Sequence, residues 1–232
     1  SMVRQQTATV GLVITELANP LFVPVVEGVE EILRSAGYHI VLASAPDVAC
    51  EIEAIETLRA QQVDGFIFMS LSVCTSFEHL QRLTRDEIPL VVINRCLDDP
   101  DIHQIQLDDW GAGYVATKHL IELGHRSIGT ISGPIHDSPS RRSATERHRG
   151  WQQALQEHAL SFRPEWLVVG DYTYKGGYVA AQHLVAHNTA SGQHLPTALF
   201  VASDVMAVGA LRAMQEAGLR VPHDIAIVTT GN

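Results

Sequence analysis

A chain of 232 residues, 46% of them apolar, is long enough for one large α/β domain or two modest lobes with real cores, which excludes a disordered tail. A formal net charge of -10 excludes a chain that tracks nucleic-acid phosphates by itself, because such domains carry basic faces. Cys50, Cys74 and Cys96 are odd in number and widely spaced, so neither a disulfide framework nor a zinc site is indicated, and the compartment reads as reducing cytoplasm.

Along the chain, short apolar runs rich in β-branched residues recur: "TATVGLVIT" (7–15), "HIVLAS" (39–44), "GFIFMS" (65–70), "PLVVIN" (89–94) and "HQIQL" (103–107), then "SIGTIS" (127–132), "WLVVG" (166–170), "ALFVAS" (198–203) and "DIAIV" (224–228). Between them, "FVPVVEGVEEILRSAG", "YVATKHLIELG" and "DVMAVGALRAMQEAG" place apolar residues at three- and four-residue steps. Each stops at a glycine (Gly37, Gly124, Gly218) where a helix end wants a left-handed residue. Continuous apolar strands alternating with helices predict parallel sheets covered on both faces. The "ELGHRSIG" junction near 124–128 divides the strands into five and four, so the expected fold is α/β, with two doubly wound parallel-sheet lobes around a cleft. The boundaries read from the sequence are an expression scar and hinge remnant at 1–6, an N-terminal lobe at 7–124 and a C-terminal lobe at 125–232. No apolar run is long enough to span a bilayer, and no charged-then-apolar leader opens the chain.

Doubly wound sheets bind ligands at the carboxyl ends of their strands. That rule selects Glu16 to Phe22, Ser70 to Cys74, Asn94 to Arg95, Gly133 to Arg149, Asp171 to Tyr174, and Ser203 to Asp204. Within this set, "SRRSATERHRGW" (140–151) gathers Arg141, Arg142, Arg147 and Arg149 near the start of a helix. Cations there oppose the helix dipole, so a ligand is a better reason for them than a solvated face. A guanidinium is a rigid fork of donors suited to vicinal hydroxyls, carboxylates or phosphates. Arg147, three residues before Gly150-Trp151 and one turn inside the helix, is the strongest candidate, with the other three read as solvent-facing. Asp204 can cap the helix that follows "ALFVAS" and can also accept from ligand hydroxyls, forming a polyol clamp with the arginine. Phe22 and Tyr172 either wall a ring or pack the lobe core.

Other motifs carry less. "GAGYVA" (111–116) fits a dinucleotide fingerprint on paper, but Asp108 and Asp109 precede it and no acidic residue ends the next strand. An aspartate N-cap followed by small residues for tight helix packing is the expectation there. The adjacent carboxylates at 98–99 and 108–109 point apart on any helix or strand and read as loop and cap residues. The twelve histidines include no His-Glu-x-x-His pattern, and there is no Gly-x-Ser-x-Gly elbow, so the sequence points to no enzyme activity, no metal site and no cofactor.

Taken in order, "ANPLFVPVVEGVEEILRSAGYHIVLAS", "VDGFIFMS", "IPLVVINR", "ATKHLIELGHRSIGTISGP", "RHRGWQQAL" and "SDVMAVGALRAMQEAGLRVPHDIAIV" resemble the effector-binding core of lactose-repressor and galactose-repressor type transcription regulators, from about Thr7 onward. Periplasmic sugar-binding proteins share this type I fold, whereas "LGHRSI" followed by "GLRVPHDIAIV" is more specific to the regulators. The resemblance implies an effector site containing Arg147, Asp204, Tyr172 and the pair Leu21 and Phe22. It further implies a sugar or nucleoside-like effector, a homodimer, a cytoplasmic location without membrane contact, and operator DNA bound only through an N-terminal helix-turn-helix that does not precede residue 7 here. After "DIAIV" the family pattern is Gly-aromatic-Asp-Asp and a returning segment, where this chain reads "TTGN", so a missing part of the second lobe is expected. A transporter's solute-binding protein and a nucleotide-dependent enzyme using "GAGYVA" stand as the two alternative classes.

Overall fold

β1 (Thr9–Ile14) runs parallel to β2 (His39–Ser44) on one side and β3 (Gly65–Met69) on the other, and β4 (Leu90–Ile93) and β5 (His103–Ile105) extend the sheet to the order β2-β1-β3-β4-β5. A second parallel sheet has the order β7-β6-β8-β9, from β6 (Ile128–Ser132), β7 (Leu167–Val169), β8 (Ala198–Val201) and β9 (Ala226–Thr229). The computed structural model describes residues 6–15, 22–69, 77–95, 97–135, 142–190, 192 and 194–231. Each apolar run of the sequence therefore supplies one strand, divided five and four as its pattern predicts.

The crossovers are α1 (Phe22–Ser35), α2 (Val48–Ala60), α3 (Glu78–Arg85), α4 (Asp109–Glu122), α5 (Arg142–Glu157), α6 (Tyr174–Ala190) and α7 (Asp204–Glu216). Side-chain caps fix several starts: Asp47 accepts from the Cys50 amide at 2.8 Å, Asp108 from the Gly111 amide at 2.8 Å, and Ser203 from the Met206 amide at 3.3 Å. Gly37, Gly124 and Gly218 have φ of +81°, +97° and +76°, the left-handed geometry expected where those helices stop.

The chain divides at Leu107–Asp108 into two compact units. α4, placed in the first lobe by the expected 124–125 boundary, packs instead on α5 and belongs to the second unit. In the first unit, one apolar cluster gathers Phe66, Phe68, Leu80, Leu83 and Val92, and a smaller one gathers Leu12, Ile14, Phe22 and Met69. A buried charge group ties its helices together. Arg95 makes a bidentate contact with the fully buried Glu51 of α2 at 2.9 and 3.1 Å, and His79 Nε2 of α3 lies 2.6 Å from the same carboxylate. Arg95, one of the strand-end residues, is thus turned inward to a structural partner.

The second unit packs two helix pairs, α4 with α5 and α6 with α7, around its sheet. Both crossings depend on glycine. A Cβ on Gly113 would lie 2.0 Å from the Arg147 carbonyl oxygen, and one on Gly150 would lie 2.1 Å from that of Trp110. The other pair repeats the plan, with Gly177 against the Met206 carbonyl at 2.2 Å and Gly209 against that of Tyr174 at 2.1 Å. The outer contacts repeat as well: Tyr114 donates to Glu157 at 2.7 Å, and Tyr178 to Glu216 at 2.6 Å. One helix-pair design is therefore used twice, with Arg147 in the first copy where Met206 stands in the second.

Because the obstacle at Gly113 is backbone, no rotamer change can relieve a clash there. Gly113→Val is expected to lower stability by about 3 kcal/mol, the upper end of ordinary overpacking. Trp110, Trp151 and Trp166 all lie in the second unit, so urea unfolding followed by tryptophan fluorescence reports it directly. An unchanged midpoint would contradict the close crossing.

Candidate functional site

In the second sheet the chain leaves β6 on one side to form β7 and returns to its other side to form β8. Such a reversal opens a crevice at the carboxyl ends of the strands it separates. Ser132 ends β6 and Gly133 follows it, Gly170 to Tyr172 follow β7, and Ala202 to Asp204 follow β8.

Arg147 reaches this rim from the second turn of α5. Its Nε donates to Asp109 Oδ1 at 2.8 Å, and its Nη1 donates to the Ala202 carbonyl at the end of β8. The other oxygen of Asp109 accepts from the Ser143 hydroxyl. Asp109 lies in the first turn of α4 and is 7% exposed, so the carboxylate is held from both sides in a site largely withdrawn from water. Two donor positions are thereby spent. The Nη2 group and the second Nη1 hydrogen have no partner among the described residues.

Tyr172 is placed by its turn. Asp171 Oδ1 accepts from both the amide and the hydroxyl of Thr173, at 2.9 and 2.6 Å, which also holds the Asp171 carboxyl below its ordinary range. The residue between them is forced to φ +66°, a region that a tyrosine enters only when its surroundings compel it. Its amide points at Met206 Sδ, 3.3 Å away. Its ring tip lies over Gly133, where a Cβ would come within 2.2 Å of Cζ. The hydroxyl is buried with no hydrogen-bond partner among the described residues. Burial pushes its pKa up to about 12, with the charge of Arg147 opposing and that of Asp109 adding to the rise. At neutral pH it is therefore an uncharged group able both to donate and to accept.

The remaining expected residues are distributed differently. Asp204 is partly buried at the start of α7 and rests against Gly231, and its cap neighbour Ser203 does the capping. The carboxylate that meets the arginine is Asp109, which the sequence reading had placed among cap and loop residues. A signal for it exists: Asp109 lies four residues before Gly113 and so shares the buried face of α4 with Gly113, Ala116 and Leu120. Phe22 is 2% exposed and packs with Leu12, Ile14 and Met69 inside the first unit. Leu21 and Arg141 lie outside the described residues, and Arg142 and Arg149 sit on the solvent side facing Glu146.

The fingerprint-like "GAGYVA" has no open cradle for a pyrophosphate. The Asp108 carboxylate occupies the space beside Gly111, and the backbone of α5 occupies that beside Gly113. No group of histidine, cysteine and carboxylate side chains among the described residues is arranged to hold a metal ion, and no helix is long and apolar enough to cross a membrane.

An unpartnered buried hydroxyl costs folding energy, so Tyr172→Phe should leave thermal stability unchanged or raise it. Linkage adds a pH signature. A phenol whose folded pKa exceeds its unfolded value near 10 holds its proton more tightly in the fold, so relative to lower pH the fold loses stability as pH rises from 10 towards about 12. Melting curves between pH 9 and 12 should therefore show a shallower alkaline loss in Tyr172→Phe than in the parent. Equal slopes would mean that the hydroxyl is solvated.

The model of the family "Periplasmic binding proteins and sugar binding domain of LacI family" matches residues 7–231. The HTH-type transcriptional repressor PurR of Yersinia enterocolitica is 36% identical over 231 residues, covering 97% of this chain and 64% of its own length. Among solved structures, the transcriptional regulator CelR in complex with cellobiose has a TM-score of 0.81 at 32% identity, covering 97% of this chain and 67% of that one. The transcription regulator CcpA of Lactococcus lactis has a TM-score of 0.80 at 30% identity, covering 97% and 78%. The chain thus spans about 64% of the length of the curated PurR relative it matches. With the family model matching residues 7–231, the chain belongs to the family of periplasmic binding proteins and sugar-binding domains of LacI-type regulators.

Proposed function

We propose that this chain is the small-molecule effector-binding core of a transcription regulator, and that Arg147, Tyr172 and Asp204 of the second unit contact the effector. The observation that carries the reading is the half-satisfied guanidinium of Arg147, fixed at the switch point of the sheet beside the buried, unpartnered hydroxyl of Tyr172. Such groups are costly to leave dry without partners and are well placed to be completed by a ligand's oxygens. The relatives support a regulator over a transporter's solute-binding protein and over an enzyme, since those reported above are named as repressors and regulators.

In this reading, DNA is contacted by an N-terminal helix-turn-helix of a longer, cytoplasmic, homodimeric protein, because a core of net charge -10 is poorly suited to phosphate backbones. The effector acts by differential affinity. It favours whichever conformation completes the bonds of Arg147 and Tyr172, and the coupling to DNA cannot exceed that preference, typically about 1–3 kcal/mol. A sugar or nucleoside-like effector meets the remaining donors with hydroxyl or carbonyl oxygens.

The reading is tested by thermal shift against a panel of sugars and nucleosides. A true effector at a hundredfold excess over its dissociation constant contributes about 2.7 kcal/mol, enough to raise the midpoint by roughly a few degrees. Truncating Arg147 alone would strand a buried carboxylate, so the control is the charge-neutral double variant Arg147→Gln/Asp109→Asn. The hit should disappear in that variant while the unliganded midpoint stays within a few degrees of the parent. A hit of undiminished affinity in the double variant would remove Arg147 from the site, and a folded protein with no hit across the panel would count against the effector class.

A further inference from the structure

The ion pair between Arg147 and Asp109 is not needed to pack the helices that carry it. The second helix pair makes the same close crossing, glycine against carbonyl on both sides, with Met206 in the place of Arg147 and therefore without an ion pair there. A largely buried pair is also a weak source of stability, because desolvation cancels most of the attraction. Its side chains are only 14% and 9% exposed, so both charges have been taken out of water for some other purpose.

The charges around Arg147 indicate that purpose. Asp109 holds Nε at 2.8 Å and is itself fastened by the Ser143 hydroxyl, so it is not free to swing away. Asp204 adds a second carboxylate at the end of β8. Arg142 and Arg149 are directed to Glu146 on the solvent side of α5, and Lys175 is exposed at the start of α6, close enough to Asp171 for its charge to help lower that carboxyl's pKa. The described residues of the rim thus present donors without net positive charge.

The geometry points to Asp109 as the residue that sets charge selectivity at this rim: by neutralising Arg147 while leaving its Nη donors open, it admits uncharged oxygen-bearing groups and turns away carboxylates and phosphates. The inference rests on the reading of Arg147 as an effector contact, and it adds a residue and a rule to that reading. A guanidinium alone would take an anion bidentately. With a carboxylate already on one edge, an incoming anion meets repulsion from Asp109 a few ångströms away, whereas a hydroxyl or carbonyl oxygen does not.

Inorganic phosphate is the probe, titrated into the protein at constant ionic strength and followed by thermal shift and calorimetry. The parent protein should show no saturable phosphate binding. Asp109→Asn, which keeps the shape and an acceptor for Arg147 but removes the charge, should bind phosphate at least about tenfold more tightly than the parent. That gain should vanish in Arg147→Gln/Asp109→Asn. Where Asp109→Asn does not fold by circular dichroism, Asp109→Ser takes its place in the same comparison. Saturable binding by the parent with an affinity equal to that of the variant overturns the inference, and so does a folded neutral variant that gains nothing. Neither result depends on a sugar or nucleoside hit, so a failed effector panel with a phosphate gain in Asp109→Asn would sink the effector class and leave the charge rule standing.

Discussion

The site of the second unit depends on how closely α4 can approach α5. Asp109 and Arg147 are on different helices, and their 2.8 Å contact exists because Gly113 and Gly150 let the two backbones touch through their carbonyls. Helices with ordinary side chains at the contact stand 8–10 Å apart. At such a separation the carboxylate would no longer be delivered to Nε with this geometry, and the guanidinium would be free to turn. The glycines therefore set the geometry of the Arg147 and Asp109 contact although neither takes part in it.

A second use of the same helix-pair design shows which features belong to packing and which to the site. Glycine against carbonyl, and tyrosine hydroxyl against a glutamate at the end of the partner helix, occur in both pairs. These are the shared solution to covering a parallel sheet with two close helices. The Arg147 and Asp109 contact occurs in one pair only, and Met206 in the other supplies a soft sulfur beneath the backbone of Tyr172. Each crossing thus contributes one element to the same rim: a charged fork from the first, and a platform for the tyrosine turn from the second.

Much of this was legible in the sequence because it is written in local periodicity. The nine strands, their division into two sheets and the glycine stops of α1, α4 and α7 follow from apolar runs and from single residues whose preferences are strong. The tight-packing reading of "GAGYVA" holds for the same reason, since Asp108 caps the helix and Gly113 meets backbone. What local pattern does not encode is the partner across a tertiary contact. Asp109 looked like the second half of a cap, Arg95 like a rim residue and Asp204 like the carboxylate facing the arginine. Choosing among the carboxylates near the rim required knowing which helix crosses which. The lobe boundary was displaced for a related reason: α4 follows the first sheet in sequence, but its glycines fit α5.

Energetically the rim is a place where folding has been left incomplete. Tyr172 holds a left-handed backbone and a buried hydroxyl without a partner, and Arg147 keeps donors unspent beside a carboxylate withdrawn from water. Each of these costs of order 1–3 kcal/mol or offers little in return. All of them converge at the carboxyl ends of β6, β7 and β8, while the apolar core of the same unit is closed around Trp151, Phe200 and Leu184. Other buried polar atoms of this unit, among them Trp151 Nε1, Thr130 Oγ1 and His148 Nδ1, also lack a partner among the described residues, but only at the rim do such groups stand together at strand ends, where an oxygen-bearing ligand could complete them. In the proposed reading, free energy recovered on binding at this rim is what would shift the protein between states, since a ligand acts at a distance only through its differential affinity for them.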